Sequence, residues 1–285
     1  MNIERFQNNP IIKPNMDSRM GSNINGPSLI RTPDWLENPL GKYYLYFAHH
    51  QGQYIRLAYA DILERPWYTH EPGTLKLEDS FCRGHIASPD VHIDDKKHEI
   101  KMYYHGPVPQ EGQKSKVAIS KDGIHFTAFP ESLGNSYFRV FQWNGYTYAL
   151  GMPGVFYRSR DGLTNFEQGP TLYAENMRHS ALKLDGNRLS VFYSNAFDCP
   201  EHILLSSIEL TSNWMAWEAS EPRTVLEPEM DYEGVDLPLE PSKRGWAPER
   251  VRQLRDPAIF REGEETYLLY SVAGEHGIAI GKLMD

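Results

Sequence analysis

The sequence predicts an all-β chain folded as a five-bladed β-propeller, and three observations predict it. A short apolar strand opening on a polar residue runs into an aromatic strand and then an alternating one, five times over. The repeats lie roughly 40 to 75 residues apart, as propeller blades do. Helical periodicity is almost absent; apolar residues alternate or come in short runs closed by Gly, Pro, Asn and Asp. The last repeat holds three strands, while a strand-like segment without a blade precedes the first. Pairing these two ends closes the ring and removes an exposed sheet edge.

The first blade reads as the opening Asn25-Gly-Pro-Ser-Leu-Ile, then strands at 43–50 and 55–61 and a fourth near 73–77. The second opens on Ser88-Pro-Asp-Val-His-Ile within a strand starting at 87 and continues at 100–105, 116–120 and 126–129. The third runs through 138–143, 147–152, 155–160 and 166–169, opening on Tyr137-Phe-Arg-Val-Phe. The fourth opens on Arg178-His-Ser-Ala-Leu and takes 180–184, 189–194, 203–209 and a segment near Trp217. The fifth opens on Arg255-Asp-Pro-Ala-Ile-Phe and takes 258–261, 266–272 and 278–282, with 3–6 and 11–13 supplying its missing strand. In Ser120-Lys-Asp-Gly and Ser159-Arg-Asp-Gly, the Asp-Gly pair suits a tight turn, and the aromatic that follows can pack between blades. Residues 1–285 thus read as one five-bladed propeller domain. The segment 227–255 breaks the rhythm: it is rich in proline and acid, and a loop this long is expected to be functional beside the fifth inner strand.

Composition narrows the function. A hydrophobic content of 40% with 24% charged residues is that of a globular protein. Seventeen tyrosines, 12 phenylalanines and six tryptophans suit strands and sugar-binding clefts alike. A net charge of −9 argues against nucleic-acid and membrane-surface partners, which call for a basic face. Cys82 and Cys199 match no metal or redox spacing. Neither a signal peptide nor a membrane span is legible, so a cytoplasmic location is expected.

A propeller gathers the polar residues that open its inner strands around one axis. Asn25-Gly-Pro-Ser-Leu-Ile with Gly41-Lys-Tyr-Tyr-Leu-Tyr-Phe, followed by Ala87-Ser-Pro-Asp-Val-His, resembles the five-bladed propeller glycosidases of glycoside hydrolase family 43 and relatives such as family 117. The resemblance spans nearly the whole chain as a blade pattern and implies cleavage of a glycosidic bond in an oligosaccharide. In family 43 an Asp-Pro on the first inner strand supplies the general base, an Ala-Pro-Asp on the second tunes the acid, and a later Glu is the acid. Here Gly26, preceded by Asn25, occupies the base position; Asp90 matches the second-blade aspartate, and Asp-Pro occurs on the fifth blade as Asp256-Pro257.

Glycosidic cleavage by inversion needs an acid and a water-activating base roughly 6.5–9.5 Å apart. The expected carboxylate pair is Asp90 and Asp256, with His179 or Glu240 as proton donor; Glu233 and Asp236 are further candidates on the long loop. A histidine acid is what the likeness to family 117 implies. Arg139, Arg178 and Arg255 open inner strands and Arg83 precedes one, a set that favours an anionic, uronic or sulphated sugar held in bidentate fashion. Asn25, His49, His85 and Trp246 complete the expected substrate contacts. His50, His92 and His105 are expected at the same end, and Trp35 and Trp67 are further stacking candidates. No cofactor is expected; the alternation of Asp90, His92 and Asp94 leaves a metal ion at the axis as a minor alternative. Two other readings stand beside hydrolysis: a phosphorylase of the family 130 kind, its arginines holding phosphate, and a glycan-binding propeller without catalysis.

Overall fold

The computed structural model describes residues 2–284. Its strands are β1 (Asn2–Arg5), β2 (Asn25–Arg31), β3 (Tyr43–Ala48), β4 (Arg56–Ala60), β5 (Tyr68–Thr69), β6 (Ala87–Asp94), β7 (Glu99–Val108) and β8 (Gly112–Ser120). There follow β9 (Phe126–Ala128), β10 (Gly134–Asn135), β11 (Arg139–Trp143), β12 (Tyr146–Gly151), β13 (Val155–Ser159), β14 (Glu167–Thr171) and β15 (Met177–Asp185). The chain ends with β16 (Arg188–Asn195), β17 (Ile203–Glu209), β18 (Arg223–Leu226), β19 (Arg255–Glu262), β20 (Glu265–Ser271) and β21 (Ile278–Met284). They form five antiparallel sheets, the blades, with inner strands β2, β6, β11, β15 and β19. The ring closes as the sequence predicts: β1 pairs with β21 in the register Asn2↔Met284 to Arg5↔Gly281, and Ile12 bridges Ile278. Among the described residues, no helix is long and apolar enough to cross a membrane.

Strand β3 is buried along its whole length because a blade packs on both faces. Five apolar clusters result, one between each pair of neighbouring blades. Leu29, Leu45, Phe260 and Ile280 join blades one and five, for example, while Tyr148, Phe156, Leu189 and Trp217 join blades three and four. The Asp-Gly turns add polar ties: Tyr46 Oη donates to the Gly123 carbonyl (2.7 Å) and Tyr103 Oη to that of Gly162 (2.8 Å), each reaching one blade onward.

Two outer strands differ from expectation. The fourth strand of blade one is β5, not 73–77, because Trp67 drops into the core and Gly73 turns the chain at φ 72°. That of blade four is β18; Trp214–Ala216 form a 3-10 turn that seats Trp214 and Trp217 in the core first.

Candidate active site

Antiparallel blades put the start of each inner strand and the hairpin between second and third strands at the same end of the ring. At that end every inner strand carries, or in blade three is closely preceded by, one residue in left-handed backbone: Gly26 (φ 59°), Ser88 (51°), Tyr137 (65°), His179 (53°) and Asp256 (48°). In four blades the pairing register shifts across this residue, between Asn25 and Ser28, Ala87 and Asp90, Arg178 and Ala181, and Arg255 and Ala258. It is a β-bulge, repeated around the ring, that re-aims one side chain per blade. Strained backbone of this kind at equivalent positions is costly and marks a built site.

Four of the five left-handed residues, Ser88, Tyr137, His179 and Asp256, line one cavity of about 340 Å³. Gly26 contributes no side chain. A Cβ there would lie 2.9 Å from Ser88 Cα, so the first two inner strands approach too closely for a first-blade aspartate. Asn25, His50, His85, His105, Arg178, Arg244 and Glu275 complete most of the wall.

Asp256 is buried, and Tyr137 Oη donates to its Oδ1 at 2.8 Å. Burial, reinforced by the charge of Glu275, pushes its carboxyl up to about 6. Glu275 has the opposite setting. Burial alone would raise it, but His50 (Nδ1 at 3.6 Å), Arg255 (3.0 Å) and the amides of Asn23 (2.7 Å) and Asn25 (3.0 Å) hold it at about 2. A third acid, Glu201, is fully buried behind the wall. It is gripped by Arg178 through Nε (2.9 Å) and Nη2, approached by Arg255 Nε at 3.2 Å, and bonded by Ser194 Oγ at 2.7 Å. Glu201 and Glu275 were not among the residues expected from sequence. Both sit in the hairpin between second and third strands of adjacent blades, and an acid beside Gly or Pro in that hairpin is the available signal.

These acids consume the arginines. Arg178 and Arg255 also donate to the Gly245 carbonyl, at 3.2 and 3.1 Å, so both guanidinium groups are engaged within the protein. The expected ring of free cations is therefore absent. Arg244, exposed at the rim and bonded to the Glu175 carbonyl (2.8 Å), has no carboxylate partner among the described residues. The loop 227–255 meets the site through Arg244, Gly245 and Trp246, the last exposed and 6.4 Å from the rings of His49 and His50.

Two of the cavity histidines, His105 and His179, are held neutral. Burial, then the neighbouring His85, takes His105 down to about 3. Burial and the charges of Arg178 and Arg255 hold His179 well below the usual imidazole range, although its Nε2 is 3.8 Å from Asp256 Oδ1. Nδ1 of each has no hydrogen-bond partner.

Several expected site residues lie elsewhere. Asp90, two positions past the bulge, lines a second hollow of about 310 Å³ formed by the downstream halves of the inner strands. There it accepts from the Val140 N–H (2.8 Å) and pairs with His92 Nε2 (2.7 Å). Asp94 turns to Lys101, and no group of His, Cys, Asp or Glu among the described residues is arranged to hold a metal ion. Arg139 lines that second hollow too, its Nη1 and Nε donating to the carbonyls of Pro89 and Ser180 and its guanidinium lying 4.4 Å over the Tyr137 ring, with Nη2 unpartnered. Arg83 is exposed in a surface groove. On the long loop Glu240 and Asp236 are exposed away from the cavity, and Glu233 is locked by Arg5 and Tyr270. Trp67 is core, and Trp35 stacks on His98.

The two cavity carboxyls give stability opposite pH dependences. Asp256 holds its proton more tightly folded than unfolded, so stability falls as pH rises from about 4 to above 6, by up to about 3 kcal/mol. Glu275 holds its proton less tightly folded, so its contribution is present above about 4.5 and lost as pH falls toward 2. Urea denaturation across pH 3–8 is expected to show the first decline in the native protein and not in Asp256→Asn.

No protein-family model matches the chain. It is 38% identical over 323 residues to uncharacterized protein R118 of Acanthamoeba polyphaga mimivirus, an alignment covering 99% of this chain and 90% of the relative. The chain belongs to the R118 family. Among solved structures it is similar to the family 43 β-xylosidase/α-arabinofuranosidase CoXyl43 from a compost microbial metagenome, in complex with xylotriose. The TM-score is 0.66 at 13% identity, over 99% of this chain and 95% of that one. A family 43 enzyme from Xanthomonas citri superposes with a TM-score of 0.63 at 13% identity, over 96% and 90%. At such identity the likeness establishes the fold: the R118-family chain has the five-bladed propeller of the family 43 glycoside hydrolases.

Proposed function

We propose that this protein is a glycoside hydrolase that cleaves an oligosaccharide with inversion at the axial cavity. The observation that carries the reading is Asp256: an axial carboxyl near pH 6, with one oxygen fixed by Tyr137 and the other bonded to no described residue. Ionised above that pH, it is suited to take a proton from a water attacking the anomeric carbon. Glu275, its oxygens filled by four neighbours, is not free to act as a nucleophile. One available carboxylate and a water make single displacement, not a covalent intermediate, the reading to prefer. As the C–O bond breaks, the leaving oxygen needs a proton. His50 is the donor we assign, since it lines the cavity and its Nδ1 lies 3.6 Å from the Glu275 carboxylate that positions the ring. His105 and His179, neutral, are assigned to sugar hydroxyls.

The engaged arginines weaken the case for bound phosphate, and that for an anionic sugar narrows to Arg244. The test is a panel of aryl glycosides and plant and algal oligosaccharides, with and without phosphate, followed by NMR of the first product. Expected are turnover without phosphate, an inverted anomer, and kcat/KM rising through pH 6 on the acid side. Release of a sugar phosphate, a retained anomer, or binding with no turnover overturns the reading.

A further inference from the structure

A hollow of about 970 Å³, a groove between blades one and two, lies outside the axial cavity. Its outstanding residue is Phe81, 54% exposed in left-handed backbone at φ 58°. A bulky side chain in that region is a steric outlier, and exposure gives it no packing to offset the strain. Phe81 sits among groups typical of a carbohydrate subsite. Gln53, Lys76, Glu78, Asp79 and Arg83 supply planar and charged hydrogen-bonding groups, and Arg19 covers Tyr54 at 4.2 Å. Beside it Gly84 opens onto free space.

The groove and the cavity are lined by neighbouring residues of the same two chain segments. His50 and His85 line the cavity, their rings 6.4 Å apart, and three residues on or two back the same segments supply Gln53 and Arg83 to the groove. The segments are tied side by side, Ile86 N–H to the Gly52 carbonyl (2.9 Å) and Gln53 Nε2 to that of Gly84 (2.8 Å). This strip carries the cavity at one end and the groove at the other.

We propose that the groove binds the glycan chain where it leaves the axial cavity, with the C–H face of one sugar ring stacked on Phe81. The proposal rests on the hydrolase reading of the cavity and makes the substrate an oligosaccharide too long for the cavity alone. Aromatic faces are electron-rich and attract the polarised C–H face of a pyranose, while the rim hydroxyls find charged partners.

The test measures binding by calorimetry, using xylo-, gluco-, manno-, galacto- and arabino-oligosaccharides of two and five units with Asp256→Asn protein. The pentasaccharide of the recognised sugar is expected to bind at least fivefold more tightly than the disaccharide. Phe81→Gly in the same background is expected to lose that gain while leaving disaccharide affinity unmoved. Its melting temperature should be no lower, since glycine relieves the left-handed strain. Phe197→Gly, at a residue equally exposed and strained (φ 78°) but outside the groove, is expected to keep the gain. Equal affinity for both lengths, or a gain that survives Phe81→Gly, overturns the groove proposal and leaves the cavity reading standing. If no oligosaccharide of either length binds, both fall.

Discussion

Asp256→Asn is expected to lower kcat/KM by roughly 10²- to 10⁴-fold while making the protein more stable at neutral pH. The two effects come from one cause. Asp256 must ionise inside a wall that also holds Glu275, and its proton is retained to about pH 6 for that reason. The amide has the same shape, still accepts from Tyr137 Oη, and carries no charge to desolvate. The expected gain at pH 7.5 is about 2–3 kcal/mol, the equivalent of its displaced titration. Stability and activity are measured on one preparation, by urea denaturation and by initial rates on whichever glycoside the native protein turns over. An Asn variant that is active, or that is less stable than the native protein above pH 7, removes Asp256 from the role assigned to it.

Glu201→Gln has the largest expected effect on folding. Glu201 is inaccessible to solvent, and Arg178 and Arg255 are almost so. Removing the acid's charge leaves two guanidinium groups close together with Glu275 alone to answer them, and breaking a buried pair in this way costs about 3–5 kcal/mol. Since 1 kcal/mol shifts the midpoint by roughly 2–4 °C in chains of this order, a fall in melting temperature of about 10 °C is expected. Adding Arg178→Gln, which leaves one cation for one acid, is expected to recover part of it. A loss below about 1 kcal/mol for Glu201→Gln would show that water reaches this cluster and that the arginines are free to meet a substrate.

Much of the architecture was legible because it is written locally. Strand period, Asp-Gly turns and the three-strand last repeat specify blades and closure within short windows, and the structure departs from them at β5 and β18. Both are outer strands, where a buried tryptophan (Trp67, Trp217) takes precedence over pairing. Asp256 was legible too, as an acid at the start of an inner strand. Asp90 looked equivalent, since Pro-Asp and Asp-Pro both open strands, yet the two sit in different hollows. The bulge falls on Ser88 in one blade and on Asp256 in the other.

What the sequence by itself determined is therefore the ring, its closure and the end of the axis at which Asp256 would lie. Tertiary structure alone decided which neighbours Asp256 has. A bulge is fixed by pairing with a strand some 15 residues on and by the approach of inner strands from other blades, and an offset of two residues moves a side chain from one end of the axis to the other. Whether an arginine is free or spent depends likewise on Glu201 and Glu275, which lie 23 residues from Arg178 and 20 from Arg255 and meet them through the fold. Local pattern carries no record of such distances, because they are settled when the five blades pack.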